Sequence, residues 1–327
     1  MDNRSSTPLG IGLVGVGRHG SRYVQHLLHD LPGAALTAIC RRSGGGSYPG
    51  TQIPIFDDYR AMIADPRVHA VVVVTPPSLC HSICLTAVEA GKAILIEKPL
   101  ALNGRDARAM VAAAKQHHVP LMTAQTMRFD PTIMLLREQL RTIGSLTSAS
   151  LVSHIETKAN LMAGINGPVV GALLEVGIHL LDLIRFLTGE EILEVQCTMT
   201  PLTGPEIQVH AQVRTSGEIR CALDVARVET QRQGRTEWRG TMGTITADWV
   251  GRTLTRIADD GTSRTWTIEA RPTILATLEA FVQAILTDTA PPISGLDGCL
   301  AVEAADACYR SAARDGVVVK CEPKADR

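Results

Sequence analysis

Three short stretches of this sequence hold residues whose types and spacing could do chemistry. Gly15-Val16-Gly17-Arg18-His19-Gly20 sets three glycines at the intervals that let a chain turn tightly, bring its backbone against a diphosphate and pack a helix closely on a strand. The diphosphate would then lie at the helix N-terminus, beside Arg18 and His19. Glu97-Lys98-Pro99 holds a lysine whose backbone the proline forces into an extended form. An amine there can hydrogen-bond a substrate oxygen and help it lose its proton; a surface lysine at a strand exit has the same local sequence. Residues 171–182 carry Glu175, His179 and Asp182, four and three apart, so on a helix they share one face amid apolar neighbours. His179 has the reference pKa suited to taking an alcohol proton near neutrality, and flanking carboxylates could orient it. A purely structural Glu-His-Asp network is the other reading.

The elements that must position these residues follow from the pattern. The first third alternates β-branched runs at 9–16, 36–40, 70–75, 93–97 and 121–123 with helical stretches, 107–117 being the clearest. That grammar predicts strand–helix–strand units and a parallel, doubly wound sheet, the unbroken run Val71–Val74 suiting a strand covered on both faces. Ligands of such sheets bind at the carboxyl ends of the strands, which is where the glycine turn and Lys98 fall. After about Ala124 the period changes. Ile207, Val209, Ala211 and Val213 alternate with Gln208, His210, Gln212 and Arg214, and Ile219, Cys221, Leu223 and Val225 repeat the pattern. Strict alternation predicts an antiparallel sheet with one packed and one polar face. A short strand at 262–268 and helices at 273–286 and 300–314 end the chain, the last stopped by Gly316. The expected division is a dinucleotide-binding domain over 1–125 and a substrate and assembly domain over 126–327.

At the end of the second strand a dinucleotide fold that prefers the unphosphorylated cofactor carries Asp or Glu. Here the sequence is Cys40-Arg41-Arg42-Ser43. Two guanidiniums and a hydroxyl offer donors to a 2′-phosphate, and no carboxylate stands there to repel it, so NADP is expected over NAD. The alternative is that Arg41 stacks on adenine and Arg42 faces solvent. The glycine-rich 43–50 could fold over the adenosine end or serve as a flexible connection.

Bulk composition excludes other classes. With 327 residues, 45% hydrophobic and 20% charged, the chain is long enough for two domains with ordinary cores, and a formal net charge of −1 gives no basic field for nucleic acid or an anionic membrane. The eight cysteines never fall in a CxxC spacing and mostly lie in apolar runs, so reduced thiols and a cytoplasmic setting are expected, with no metal site. Gly10, Gly12, Gly15 and Gly17 interrupt the only candidate for a secretion signal, and no window reaches the roughly 18 apolar residues of a membrane span.

Taken together, these motifs resemble the glucose-fructose oxidoreductase, inositol dehydrogenase and rhizopine-catabolism (Gfo/Idh/MocA) family. The likeness runs through the glycine turn, Val74-Thr75-Pro76-Pro77 with His81, Ala90-Gly91-Lys92, Glu97-Lys98-Pro99, the stretch from Gln125 to Pro131, Gly177-x-His179-x-x-Asp182 and Gly243-Thr244-Ile245. The resemblance implies a Rossmann domain followed by an α+β domain with a large, open antiparallel sheet, and a homodimer or homotetramer formed through that sheet. It implies that Lys98 assists the substrate oxygen, that His179 is the general acid/base with Glu175 beside it, and that Thr75, Pro76, His81 and Glu97 line the dinucleotide site. Arg128 and Asp182 join Lys98, Glu175 and His179 as expected substrate contacts. Two departures stand where substrate should bind: Glu175 replaces the usual Asp, and Gln125-Thr126-Met127 lacks the Asn-Tyr often seen before the arginine. The expected activity is hydride transfer between the cofactor and a secondary alcohol or ketone of a sugar, deoxysugar or cyclitol. A cofactor-dependent glycoside hydrolase and a non-catalytic dinucleotide sensor are the alternatives.

Overall fold

The computed structural model describes residues 8–156, 170–228 and 231–321. They pack into two compact units, one of Met1–Thr126 with Pro272–Cys299 and the other of Met127–Arg271 with Leu300–Arg327. Among the described residues no helix is long and apolar enough to cross a membrane.

The first unit is built on six strands: β1 (Leu9–Val14), β2 (Ala34–Cys40), β3 (Ile55–Phe56), β4 (Ala70–Val73), β5 (Ala93–Glu97) and β6 (Leu121–Ala124), ordered β3-β2-β1-β4-β5-β6. Every pairing in it is parallel. Helices α1 (Gly20–His29), α2 (Tyr59–Ala64), α3 (Pro77–Glu89) and α4 (Gly104–Gln116) connect the strands. Val71, Val72 and Val73 are almost wholly buried, as a strand covered on both faces requires. The strand order reverses between β1 and β4, which is the crevice where ligands of such sheets bind.

The sequence pattern puts 273–286 in the second domain, and the structure packs this helix, α7 (Thr273–Leu286), with the first unit against α1 and β6. Its apolar face explains the difference. Ile274, Leu278 and Phe281 are buried, each side chain contributing about 1.5–3 kcal/mol of transfer free energy. The strand β3 is a second feature that periodicity missed, because two residues are too few to carry a pattern.

The second unit holds nine strands: β7 (Leu146–Glu156), β8 (Ile192–Thr200), β9 (Gln208–Thr215), β10 (Arg220–Val228), β11 (Gln233–Gly240), β12 (Gly243–Asp248), β13 (Thr253–Ala258), β14 (Ser263–Thr267) and β15 (Val319–Lys320). The expected alternation appears in β9 and β10, where Val209, Ala211, Val213, Cys221, Leu223 and Val225 are buried while Gln208, His210 and Gln212 are exposed; Ile207, expected on the packed face, lies before β9 and is exposed. The sheet is mixed, not purely antiparallel: β10 lies parallel to β7 at its centre. A parallel neighbour needs a crossover, supplied here by the segment between them that includes α6 (Ile178–Thr188). Helix α5 (Pro131–Gln139) packs on β12 and β13. Helix α8 (Gly295–Ala312) starts five residues before the expected 300 and crosses the division between the units.

Candidate functional site

Each glycine of the turn after β1 has a separate steric reason. Gly15 has φ +94°, and a Cβ there would lie 2.2 Å from the Val74 carbonyl oxygen. A Cβ on Gly20 would lie 2.1 Å from the Gly15 carbonyl oxygen, so α1 can approach β1 this closely only without a side chain. Gly17 is different: a Cβ would meet nothing within 4 Å. Its glycine therefore serves no packing among the described residues and leaves backbone open to an incoming group.

Helix starts differ in how they are capped, and α1 and α3 share the lack of a side-chain cap with α6 and α7. Asp58, Asn103 and Asp130 cap α2, α4 and α5 by accepting backbone N–H groups of Arg60, Asp106 and Thr132. Helices α1 and α3, which follow β1 and β4, have no side-chain cap, and α1 has no acid in its first turn. Open N–H groups at a helix start favour an anion. Together with the space at Gly17, this end of the sheet fits the diphosphate of a dinucleotide.

Glu97 ties that turn to the end of β5. Its Oε1 accepts a hydrogen bond from the Tyr23 hydroxyl at 2.5 Å and is bonded to His19 Nε2 at 2.7 Å, while its Oε2 accepts from the Lys98 backbone N–H at 3.0 Å. Burial works to raise the Glu97 carboxyl; the hydrogen bond and charge of His19, the charge of Lys98 and the Tyr23 hydroxyl outweigh it and hold the group below its ordinary value. Tyr23 is pushed up by burial and by Glu97. The His19 and Tyr23 rings meet edge-on at 5.7 Å. Lys98 is half-buried and Glu97 is 8% exposed. Tyr23 went unnoticed in the sequence because its partner is 74 residues away.

Thr75 and Pro76 follow β4. The Thr75 methyl lies 3.1 Å from where a Gly15 Cβ would be, and its hydroxyl contacts Cys80 Sγ at 3.8 Å. Cys80 is driven up to about 11 by burial. His81 lies half-buried on α3. At the end of β2, Arg41 Nε donates to the Ser43 carbonyl at 3.2 Å, and Arg42 and Ser43 are exposed. The 43–50 stretch is an ordered loop here: Gly45 and Tyr48 N–H groups donate to the carbonyls of Ile55 and Ile53. The premise that no carboxylate stands near this strand end needs correcting. β3 pairs with β2 and brings Asp58 and Asp57 close enough to Cys40 to add to the burial that lifts its thiol to about 11.

In the second unit the expected polar stripe begins with a π turn, Leu173–Gly177, before α6. Such turns widen the helix and recur at functional sites. Gly177 is closely packed: a Cβ there would sit 2.8 Å from Leu173 Cδ1 and 3.3 Å from Val225 on β10, so both side chains would have to shift. Glu206, buried at 3% exposure, anchors the start of the helix by accepting the Leu173 N–H at 2.8 Å and the Tyr309 hydroxyl at 3.0 Å, and it fills the space that a side chain at Gly171 would need. Glu206 lies 33 residues from Leu173, so no local signal marks it.

Two of the three polar residues of the stripe pair with different arginines. Glu175 forms an ion pair with Arg227 of β10, whose side chain is 5% exposed and also donates to the Val170 carbonyl. Asp182 receives a bidentate pair from Arg128, Nε at 2.8 Å and Nη2 at 2.6 Å, both residues being buried. Phe186 lies beneath the Arg128 guanidinium and also that of Arg137. His179 is half-buried on α6. The structure thus joins Arg128 to Asp182, and Glu175 to an arginine the sequence did not single out.

Comparison with known proteins agrees with this architecture. Residues 9–125 match the family model described as GFO/IDH/MocA oxidoreductase family, NAD-binding Rossmann fold, and residues 166–246 match its C-terminal domain. The chain is 27% identical to inositol 2-dehydrogenase 1 of Saccharopolyspora erythraea over 95% of this chain and 96% of that protein. It is 26% identical to myo-inositol 2-dehydrogenase of Thermotoga maritima over 89% and 92%. Among solved structures, the aldose-aldose oxidoreductase of Caulobacter crescentus with glycerol superposes with a TM-score of 0.82 at 23% identity, covering 96% of this chain and all of that one. The scyllo-inositol dehydrogenase of Lactobacillus casei with NAD(H) and scyllo-inositol gives 0.80 at 22% identity, covering 96% and 99%.

Proposed function

The chain belongs to the Gfo/Idh/MocA oxidoreductase family, and from that premise we propose that it moves hydride between NADP and a secondary alcohol or ketone of a sugar, deoxysugar or cyclitol. One observation carries the reading: a glycine turn open at Gly17 is hydrogen-bonded, through His19 and Glu97, to the strand end that bears Lys98. Relatives named as inositol dehydrogenases support the substrate class. A bound nicotinamide supplies the carbon that accepts or returns hydride.

The chain's own residues supply the rest. The turn at Gly15, Gly17 and Gly20, with Arg18 and His19, holds the diphosphate; Thr75, Pro76 and His81 border the dinucleotide, and Arg41, Arg42 and Ser43 meet its adenosine end. Lys98 hydrogen-bonds the reacting oxygen and stabilises its negative charge, and His179 takes the hydroxyl proton. The chemistry needs both groups on one substrate. Glu175, fixed by Arg227, orients the polyol or the imidazole. Arg128 and Asp182 contribute by holding each other at the border of the substrate. Two guanidiniums against the Asp57 and Asp58 carboxylates leave a modest preference for NADP, about tenfold in Kd or 1.4 kcal/mol. The polar face of the nine-stranded sheet would join copies into a homodimer or homotetramer in the cytoplasm, which light scattering measures.

The test is a screen of polyols and ketosugars with each cofactor, read by nicotinamide absorbance, on the parent and on Lys98→Met. Turnover should fall by orders of magnitude in the variant while cofactor Kd changes by less than about threefold. Unchanged turnover removes Lys98 from the chemistry. No absorbance change with any substrate, together with glycoside cleavage, would favour the hydrolase instead.

A further inference from the structure

The bond between His19 and Glu97 fixes more than the shape of the turn. Glu97 is held ionised and has no hydrogen to give, so the hydrogen in the 2.7 Å contact belongs to His19 Nε2. The other ring nitrogen, Nδ1, has no hydrogen-bond partner among the described residues. The ring is half exposed, at 48% of its side-chain area, in the turn where Gly17 leaves open space and α1 begins without an acid or a side-chain cap.

We propose that His19 is the proton-linked ligand of the dinucleotide diphosphate, an imidazole backed by Glu97 that takes up a proton as the cofactor binds. The proposal rests on the dinucleotide reading above. Two negative charges arriving beside an imidazole favour its charged form, as does the Glu97 carboxylate behind the ring. The other charged or titratable groups around it are Arg18 in the turn, Arg22 and Tyr23 on α1, Glu97 and Lys98 at the end of β5, and Cys80 on α3. Tyr23 and Cys80 are pushed up and Glu97 is held down, which moves all three away from neutrality. His81 on α3 is a second imidazole bordering the dinucleotide, so the assignment to His19 is made by its variant.

Calorimetric titration of the full chain with NAD, in buffers of different ionisation enthalpy near pH 7.5, counts the protons taken up. NAD is the probe because the 2′-phosphate of NADP titrates near pH 6 itself. The expected result is uptake of a fraction of a proton per NAD, with Kd rising with pH by up to about tenfold per unit. His19→Gln keeps an N–H for Glu97; its Kd should be independent of pH and its proton uptake absent. Binding without uptake, or equal uptake in the variant, overturns the proposal and leaves the dinucleotide reading standing. Failure of both NAD and NADP to bind overturns both. Should His19→Gln not fold, nitrogen NMR of the parent decides: a doubly protonated His19 ring in the complex is expected, and a neutral one sinks the idea.

Discussion

The two units hold their functional residues by different means. In the first, backbone does most of the work: Gly15, Gly17 and Gly20 shape a turn, uncapped amides open α1 and α3, and a single carboxylate, Glu97, links turn to strand end. In the second, side chains are joined across long stretches of chain. Arg128 and Asp182 stand 54 residues apart, and Arg227 reaches Glu175 from a different element. Function written in backbone tolerates exchange of many side chains but almost no added volume. Function written in buried ion pairs tolerates volume better than the loss of one partner.

That contrast can be tested from its strongest consequence downward. Asp182→Ala strands the Arg128 charge in a buried site and should cost about 3–5 kcal/mol of stability by urea unfolding. A loss below about 1 kcal/mol would mean the pair does not secure α6. Gly20→Ala forces a methyl against the Gly15 carbonyl oxygen and should cost about 1–3 kcal/mol on the same assay.

Glu97→Gln should cost about 1–3 kcal/mol at neutral pH, and the sign of its pH dependence is fixed. The Glu97 carboxyl is held below its ordinary value in the folded protein, so its stabilisation is fully present above the ordinary carboxylate range and disappears as pH falls through the folded value. Stability curves of parent and variant should converge in acid; a constant gap would mean the ionised form is not favoured. The smallest stability effect belongs to Gly17→Ala, within about 0.5 kcal/mol, because its methyl meets nothing. Yet its NADP affinity should fall about tenfold, and retention of full affinity would remove Gly17 from the diphosphate cradle.

The same contrast explains what the sequence revealed. The glycine turn and Glu97-Lys98-Pro99 are contiguous, and their meaning comes from strand ends that short-range periodicity predicts, so the first unit could be read almost strand by strand. Tyr23, Glu206 and Arg227 could not. Each resembles an ordinary core or sheet residue until a partner arrives from 74, 33 or 52 positions away. The stripe of Glu175, His179 and Asp182 was legible as a face, but the choice of a separate arginine for each carboxylate depends on strand register and on Arg128 beyond β6. Asp57 and Asp58 were hidden for a related reason. Only the pairing of β3 with β2 brings them to Cys40.

The return of 272–299 to the first unit governs how this chain can be cut. The edge strand β6 is covered by that return: Ser294 bridges to Met122, and Gly295 and Gly298 pack directly on Leu121 and Thr123. A fragment ended at Thr126 would leave β6 an unguarded edge and strip away the apolar cover that α7 provides, inviting association with other strands. Exchange of nucleotide modules between relatives therefore calls for two segments to be transplanted together, with three junctions matched instead of one.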